Sequence, residues 1–162
     1  MASLDNDTLR AQLSVLDRLL DERPNETQER PLTPSQTMTR LRDAVRRDLE
    51  ALLNTRERCR GWPDIFGEID ESVVGYGLPD FSVLSLQGHW RENLRRRVLD
   101  TIRRFEPRLS SIDVRFDEQG EGLERVARFR IEALMHADPA PEPVAFNTQI
   151  DGATRLMTVA DR

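Results

Sequence analysis

Glycoside hydrolysis needs one carboxyl group as acid and a second as carboxylate. Glu106 with Asp113 or Asp117 is the pair this sequence offers for that work. Nothing in the spacing fixes their separation, and Arg103, Arg104 and Arg108 surround Glu106 with positive charge that favours a carboxylate over a proton donor. His89 and His136, the only histidines, fall on separate segments and outside any His-Glu-x-x-His spacing, so they read as surface or helix-end residues and not as metal ligands. Gly75-Tyr76-Gly77 and Gly120-Glu121-Gly122 lack the third glycine of a dinucleotide loop, and both read as turns. No Gly-x-Ser-x-Gly elbow is present. No catalytic residue, no metal site and no cofactor is expected.

Cysteine and lysine usage narrows the chemistry further. Cys59 is the only cysteine, which forbids an internal disulfide and a cysteine-based metal site within one chain. All 24 basic residues are arginine, which removes Schiff-base lysines, pyridoxal-phosphate lysines and the lysine of a Walker loop. Arg91, Arg95, Arg96, Arg97, Arg103 and Arg104 could form a basic helical face. However, Glu92, Asp100 and Glu106 interrupt it and no aromatic interleaves on it for base stacking. It reads as a solvated face first, a protein contact second and a nucleic-acid surface last. A net charge of −5 likewise gives the whole molecule no attraction to nucleic acid or anionic lipid.

The elements that must position these residues follow from periodicity. Leu9, Leu13, Leu16 and Leu20 recur at helical spacing, with Asp17 and Arg18 on the other side, and predict an amphipathic arm. The polar run from Pro24 to Pro31 reads as a linker. From Ser35 to Thr55 the residues Met38, Leu41, Val45, Leu49, Leu52 and Leu53 share one helical face. Thr33-Pro34 supplies the start of that helix, and Arg42, Asp43, Arg46, Arg47 and Asp48 decorate the remainder. The glycine- and proline-rich stretch from Gly61 to Gly88 predicts short turns packed through Ile65, Phe66, Val73, Val74, Leu78, Phe81, Val83 and Leu84. Trp90, Leu94, Val98, Ile102 and Phe105 then form the stripe of a second helix that Pro107 stops.

Beyond Pro107 the period changes from 3.6 to 2. Ile112, Val114 and Phe116 alternate with charged residues, and a turn at Glu118 to Gly122 leads to Ala127, Phe129, Ile131, Ala133 and Met135 on one face, the pattern of a hairpin. A stiff connection over Asp138 to Pro143 precedes the alternation of Val144, Phe146, Thr148 and Ile150, and Leu156 to Val159 makes a last strand. The expected fold is α+β: two main amphipathic helices packed on a small, mainly antiparallel sheet, with an N-terminal helical arm. One domain fits 162 residues, with residues 1–33 as arm and linker and 34–162 as the folded unit. No stretch approaches the roughly 18 apolar residues of a membrane span, and Asp5 and Asp7 stand where a signal peptide needs positive charge, so the chain is expected in the cytoplasm.

Four segments in order carry a resemblance. They are Arg47-Asp48-Leu49-Glu50-Ala51-Leu52-Leu53-Asn54-Thr55-Arg56, Ser72-Val73-Val74-Gly75-Tyr76-Gly77-Leu78-Pro79-Asp80-Phe81, Ile102-Arg103-Arg104-Phe105-Glu106-Pro107-Arg108-Leu109, and Val144-Ala145-Phe146-Asn147-Thr148. Together they resemble the lysozyme-like baseplate wedge family of contractile phage tails and its type VI secretion branch, the TssE subunits. The resemblance implies a structural role without hydrolase activity, despite the family's label. It implies a part that joins other baseplate wedge subunits and connects the baseplate to sheath proteins, at the inner face of the cytoplasmic membrane and without being embedded in it. It also implies that a strand edge could take an extension from a sheath subunit and so start sheath polymerisation. Glu106, Pro107 and Arg108 match the family's Glu-Pro-Arg signature, as a partner-binding or a structural corner. A regulatory adaptor of the same fold is the alternative, followed by a cell-wall glycosidase.

Overall fold

The computed structural model describes residues 13–19, 25, 32–57, 67–79, 89–117, 126–138, 140–151 and 153–161. The expectations for Leu9, Leu20, most of the polar run from Pro24 to Pro31, the apolar residues at 65–66 and 81–84, and the turn at Glu118 to Gly122 lie outside the described residues. The elements run α1 (Val15–Leu19), α2 (Pro34–Asn54), α3 (Gly67–Asp70), a 3-10 turn (Val73–Gly75), α4 (Trp90–Phe105), β1 (Leu109–Phe116), β2 (Val126–Met135), β3 (Glu142–Asp151) and β4 (Met157–Asp161). The fold is α+β, as the change of period indicates.

Helix α2 starts where Thr33 leaves the extended region. The Thr33 hydroxyl accepts the Gln36 N–H at 3.3 Å, and the Gln36 side chain accepts the Thr33 N–H at 3.0 Å, so two otherwise orphaned donors are satisfied reciprocally. Pro34 costs nothing in the first turn, where its missing N–H has no helical partner. Leu41, Val45, Leu49, Leu52 and Leu53 are all buried, as the stripe requires, and each contributes about 2 kcal/mol relative to exposure. In α4, Leu94, Val98 and Ile102 are buried between the half-buried Trp90 and Phe105. The helix stops at Glu106, since a residue before proline is pushed out of the helical region and Pro107 has no N–H to give.

The four strands form one antiparallel meander in the order β1-β2-β3-β4. Val114 pairs with Ile131, Ile131 with Phe146, and Phe129 with Thr148, which in turn pairs with Val159, so one face of the sheet is a continuous apolar surface. Both helices cover that face, α4 over β1 and α2 over β4. Thr148 belongs to this buried face, and its hydroxyl has no partner among the described residues. The opposite face carries the polar alternates, including Asp113, Arg115, Arg128, Arg130 and Glu132.

Some expectations change. Between Ser110 and Asp113 the β1 register slips by one residue, with Ser111 at φ 50°, so a β-bulge sets Leu109 and Ile112 on the same buried face although they are three apart. In the described part of the N-terminal arm the expected stripe is kept by one residue of two. Leu13 packs against the core, but Leu16 is exposed, together with Val15 and Leu19. Val73 and Val74 are also exposed, leaving Leu78 as the buried anchor of its turn. Leu156 precedes β4 and is exposed, and β3 already includes Pro143.

Candidate functional site

The Glu106-Pro107-Arg108 signature forms the corner at which α4 gives way to β1. Glu106 donates its N–H to Ile102 O, closing the helix, and its own carbonyl accepts the N–H of Leu109, opening the strand. Between these, Pro107 fixes the turn and is exposed. The side chains on either side of it fold back on each other. Arg108 Nε donates to Glu106 Oε1 and Arg108 Nη2 to Glu106 Oε2, both at 2.6 Å, a two-point fork onto one carboxylate. The Glu106 side chain is 6% exposed and that of Arg108 25%. Arg103 and Arg104, expected beside Glu106, are exposed, and Arg104 reaches the carbonyl of Asp70 instead.

A second carboxylate completes the site. Arg108 Nη2 also donates to Asp48 Oδ2 at 2.7 Å, sixty positions away on α2. The Glu106 fork, against the opposing effect of burial, and then Asp48 raise the Arg108 pKa above its ordinary value, which favours the charged guanidinium. The other Asp48 oxygen accepts Arg47 at 2.9 Å, and Arg47 bridges on to Asp17 of α1 at 2.9 Å. The charges alternate along Glu106, Arg108, Asp48, Arg47 and Asp17. At the far end, burial works against ionisation of Asp17. Hydrogen bonds from Ser14 and Arg47, with the charges of Arg47 and Arg108, outweigh that and hold its pKa below the usual aspartate value.

The Gly75-Tyr76-Gly77 turn packs on the same corner. The Tyr76 ring meets Phe105 edge-on, with centroids 5.3 Å apart. Burial, and then the charges of Asp48 and Glu106, push its phenol pKa up. Both glycines are there for close approach. A Cβ on Gly75 would lie 2.4 Å from Asp70 O, and one on Gly77, whose φ is +117°, would lie 2.5 Å from Thr55 O. The approach at Gly77 lets Leu78 N–H reach Thr55 O while Glu57 N–H reaches Leu78 O, each at 2.9 Å, a parallel bridge that pins the turn to the end of α2. Three of the four resembling segments thus meet at one place, through Asp48, Tyr76 and the corner itself.

The carboxylates considered for acid–base work are not brought together. Glu106 is buried in the fork, whereas Asp113 sits on the outer sheet face, bound by Arg115 at 2.7 Å and Arg95 at 3.3 Å, and Asp117 is exposed. An open groove of about 610 Å³ lies on that outer face, lined by residues that include Asp113, Arg115, Arg130 and Glu132, and by none of the corner. Its charges pair, Arg115 with Glu132 at 3.6 Å and Arg130 with Glu132 at 3.2 Å, although the buried Nε atoms of Arg42 and Arg130 have no hydrogen-bond partner among the described residues. His89 caps α4 without a side-chain hydrogen bond, and His136 uses its backbone N–H on Arg108 O at 2.7 Å. Among the described residues no group of three or more His, Cys, Asp or Glu is placed to hold a metal, and no helix is long and apolar enough to cross a membrane.

Helical periodicity puts Arg47 and Asp48 on the polar side of α2 and Asp17 on the polar side of the arm, and gives none of them a partner. The available signal was that Asp48 lies inside a resembling segment. The sequence profile of the family described as baseplate wedge protein gp25 matches residues 39–140, more than half of the chain. That span holds the corner, Asp48 and the Tyr76 turn, and it ends before the fourth resembling segment on β3. No curated protein and no solved structure matches the chain.

Proposed function

We infer, because this chain belongs to the family of baseplate wedge protein gp25, that it is a structural subunit of a contractile type VI secretion baseplate, of the TssE type. In this reading it joins wedge components to one another and connects the baseplate to the sheath, whose polymerisation it starts. It works in the cytoplasm at the inner face of the membrane, and its partners are the other wedge subunits and sheath proteins. The observation that carries the reading is the convergence of three separated family-like segments on one corner, where the ion network of Glu106, Arg108 and Asp48 meets the Tyr76 turn.

The corner's part in this is bracing. Glu106 has almost no surface to offer a partner, and Arg108 spends its fork on Glu106 and Asp48. The pair fixes α4, β1 and α2 relative to one another, and the surfaces they carry meet the neighbours. Exposed apolar residues border the network on both sides, Val15, Leu16 and Leu19 on the arm that Asp17 ties down and Val73 and Val74 beside Tyr76. Such residues suit protein contact.

The test is purification of the tagged chain from its native bacterium with sheath assembly followed by microscopy. Recovery of several baseplate proteins together with sheath is the expected result. Leu16→Asp combined with Val73→Asp, both at exposed positions, should lose that recovery with the fold intact. A single co-purifying protein and undisturbed sheaths would instead identify an adaptor.

A further inference from the structure

A buried N–H without an acceptor leaves its desolvation uncompensated, and such groups are rare in folded proteins. Two of them lie on arginines of one groove. Among the described residues Arg42 Nε and Arg130 Nε are buried without a hydrogen-bond partner, and both side chains line the open groove on the outer sheet face. Arg130 Nε is 3.2 Å from Glu132 Oε1, but the two are not aligned for a hydrogen bond. Arg42 donates to the Glu142 carboxylate through Nη2 and has the Asp161 carboxylate 3.7 Å from Nη1, which leaves its Nε over. Arg108 at the corner is a satisfied counterpart, with Nε and Nη2 together on one carboxylate. Neither groove arginine has that fork. Their side chains are 31% and 34% exposed beside about 610 Å³ of open space, so each has room to turn toward a carboxylate that enters.

The remaining lining sets the kind of ligand. Arg42, Arg115 and Arg130 share the groove with Asp113, Glu132 and Asp161, three charges of each sign. Those carboxylates oppose a run of acidic residues, and a wholly apolar segment would leave both donors unpaired. Arg115 already has its Nε on Asp113 at 2.7 Å and Nη2 3.6 Å from Glu132. Should Arg130 turn away, Glu132 therefore keeps a cation beside it. At one end the lining is apolar, where the exposed Leu134 of β2 pairs across to the exposed Pro143 of β3. Exposed apolar atoms beside uncommitted donors suit a ligand of mixed character.

We propose that the outer-face groove docks a partner protein through one acidic side chain with a bulky apolar side chain next to it. The carboxylate takes a two-point fork from Arg130, with Arg42 as the second donor, and the apolar side chain rests on Leu134 and Pro143. Contact is through side chains lying on the face of the sheet, with no main-chain pairing to its strands. Because the groove is open, it fits a residue within a passing segment and not a chain terminus, which needs a closed end. The assignment goes beyond the baseplate reading and stands on the contacts within this groove alone.

The probe is the blocked dipeptide N-acetyl-leucyl-glutamate amide, titrated into the full chain while the Nε–H signals of its arginines are followed by NMR. Saturable shifts should appear at Arg42 and Arg130. The glutamine counterpart of the peptide should bind the same protein about tenfold more weakly, the value of one charge-assisted hydrogen bond. N-acetyl-glutamyl-glutamate amide should also bind more weakly than the leucine peptide. Arg130→Gln should reproduce the tenfold loss for the leucyl-glutamate peptide, and Leu134→Ala should weaken it by a smaller factor, roughly threefold. The comparison of peptides on the unaltered chain decides the matter even if a variant fails to fold. Equal binding of the glutamate and glutamine peptides, shifts confined to the exposed Arg96, Arg97 and Arg103 of α4, or no saturable shift at Arg42 and Arg130 in large peptide excess overturns the assignment. Each of these results is independent of whether baseplate proteins co-purify with the chain.

Discussion

The corner and the outer face of the sheet contain the same kinds of residue arranged in opposite circumstances. At the corner the buried Glu106 is tied to Arg108, a quarter exposed, and through it to the partly exposed Asp48. On the outer face Asp113, Arg115, Glu132 and Arg130 make a looser lattice, at 2.7 Å, 3.6 Å and 3.2 Å, in contact with water. Coulomb attraction between exposed charges is screened and rarely contributes much, whereas a buried charge that loses its partner keeps its full desolvation cost. The fold therefore depends more on the ion pair around the buried Glu106 than on any pair of the outer lattice.

The largest expected effect tests the buried side. Glu106→Gln leaves Arg108 with a neutral neighbour in a nearly closed site, and should lower unfolding stability by about 3 kcal/mol, the low end for a broken buried pair because Arg108 is a quarter exposed. Urea unfolding measures it. Glu106→Leu with Arg108→Met should recover part of the loss, short of all of it because Asp48 then keeps Arg47 alone. Next comes the turn that seats Tyr76. Gly77→Ala places a Cβ in the left-handed region against Thr55 O and should cost about 2 kcal/mol, with loss of the edge-on Tyr76–Phe105 contact visible in aromatic chemical shifts.

What the sequence made legible, and what it did not, divides along the same line. Helical stripes and strand alternation depend on neighbours within a few residues, so α2, α4, β2 and β3 could be read directly from Leu41 to Leu53, Trp90 to Phe105, Ala127 to Met135 and Val144 to Ile150. The bulge at Ser111 could not, although Leu109 and Ile112 at a spacing of three hint at it. The Glu-Pro-Arg signature was visible, but its local reading chose Arg103 and Arg104 as companions when the helix points them outward. Asp48 is sixty residues from Arg108, and only the tertiary fold makes them neighbours. Likewise Arg46 reads as decoration of its helix, because an edge strand more than a hundred residues later is needed to give it a partner.

A smaller effect sharpens the comparison at the end of the buried network, where the arm is attached. The folded-state pKa of Asp17 lies below its unfolded value, so its contribution is fully present above the ordinary aspartate value of about 3.9 and is lost as pH falls through the lowered one. Amide exchange over residues 13–19 should therefore accelerate in that acidic window, ahead of the exchange of α2 and the sheet. Asp17→Asn should produce the same acceleration at neutral pH.

The smallest effect belongs to the outer lattice. Arg115→Ala removes a guanidinium bonded to Asp113 and near Glu132, yet the side chain is mostly in water and both carboxylates have other arginines, Arg95 and Arg130. Its unfolding midpoint should be indistinguishable from wild type in low salt and high salt alike. A clear loss of stability would mean that the outer face is as interdependent as the corner. The contrast between the two would then be one of exposure alone, with no difference in what each contributes to the fold.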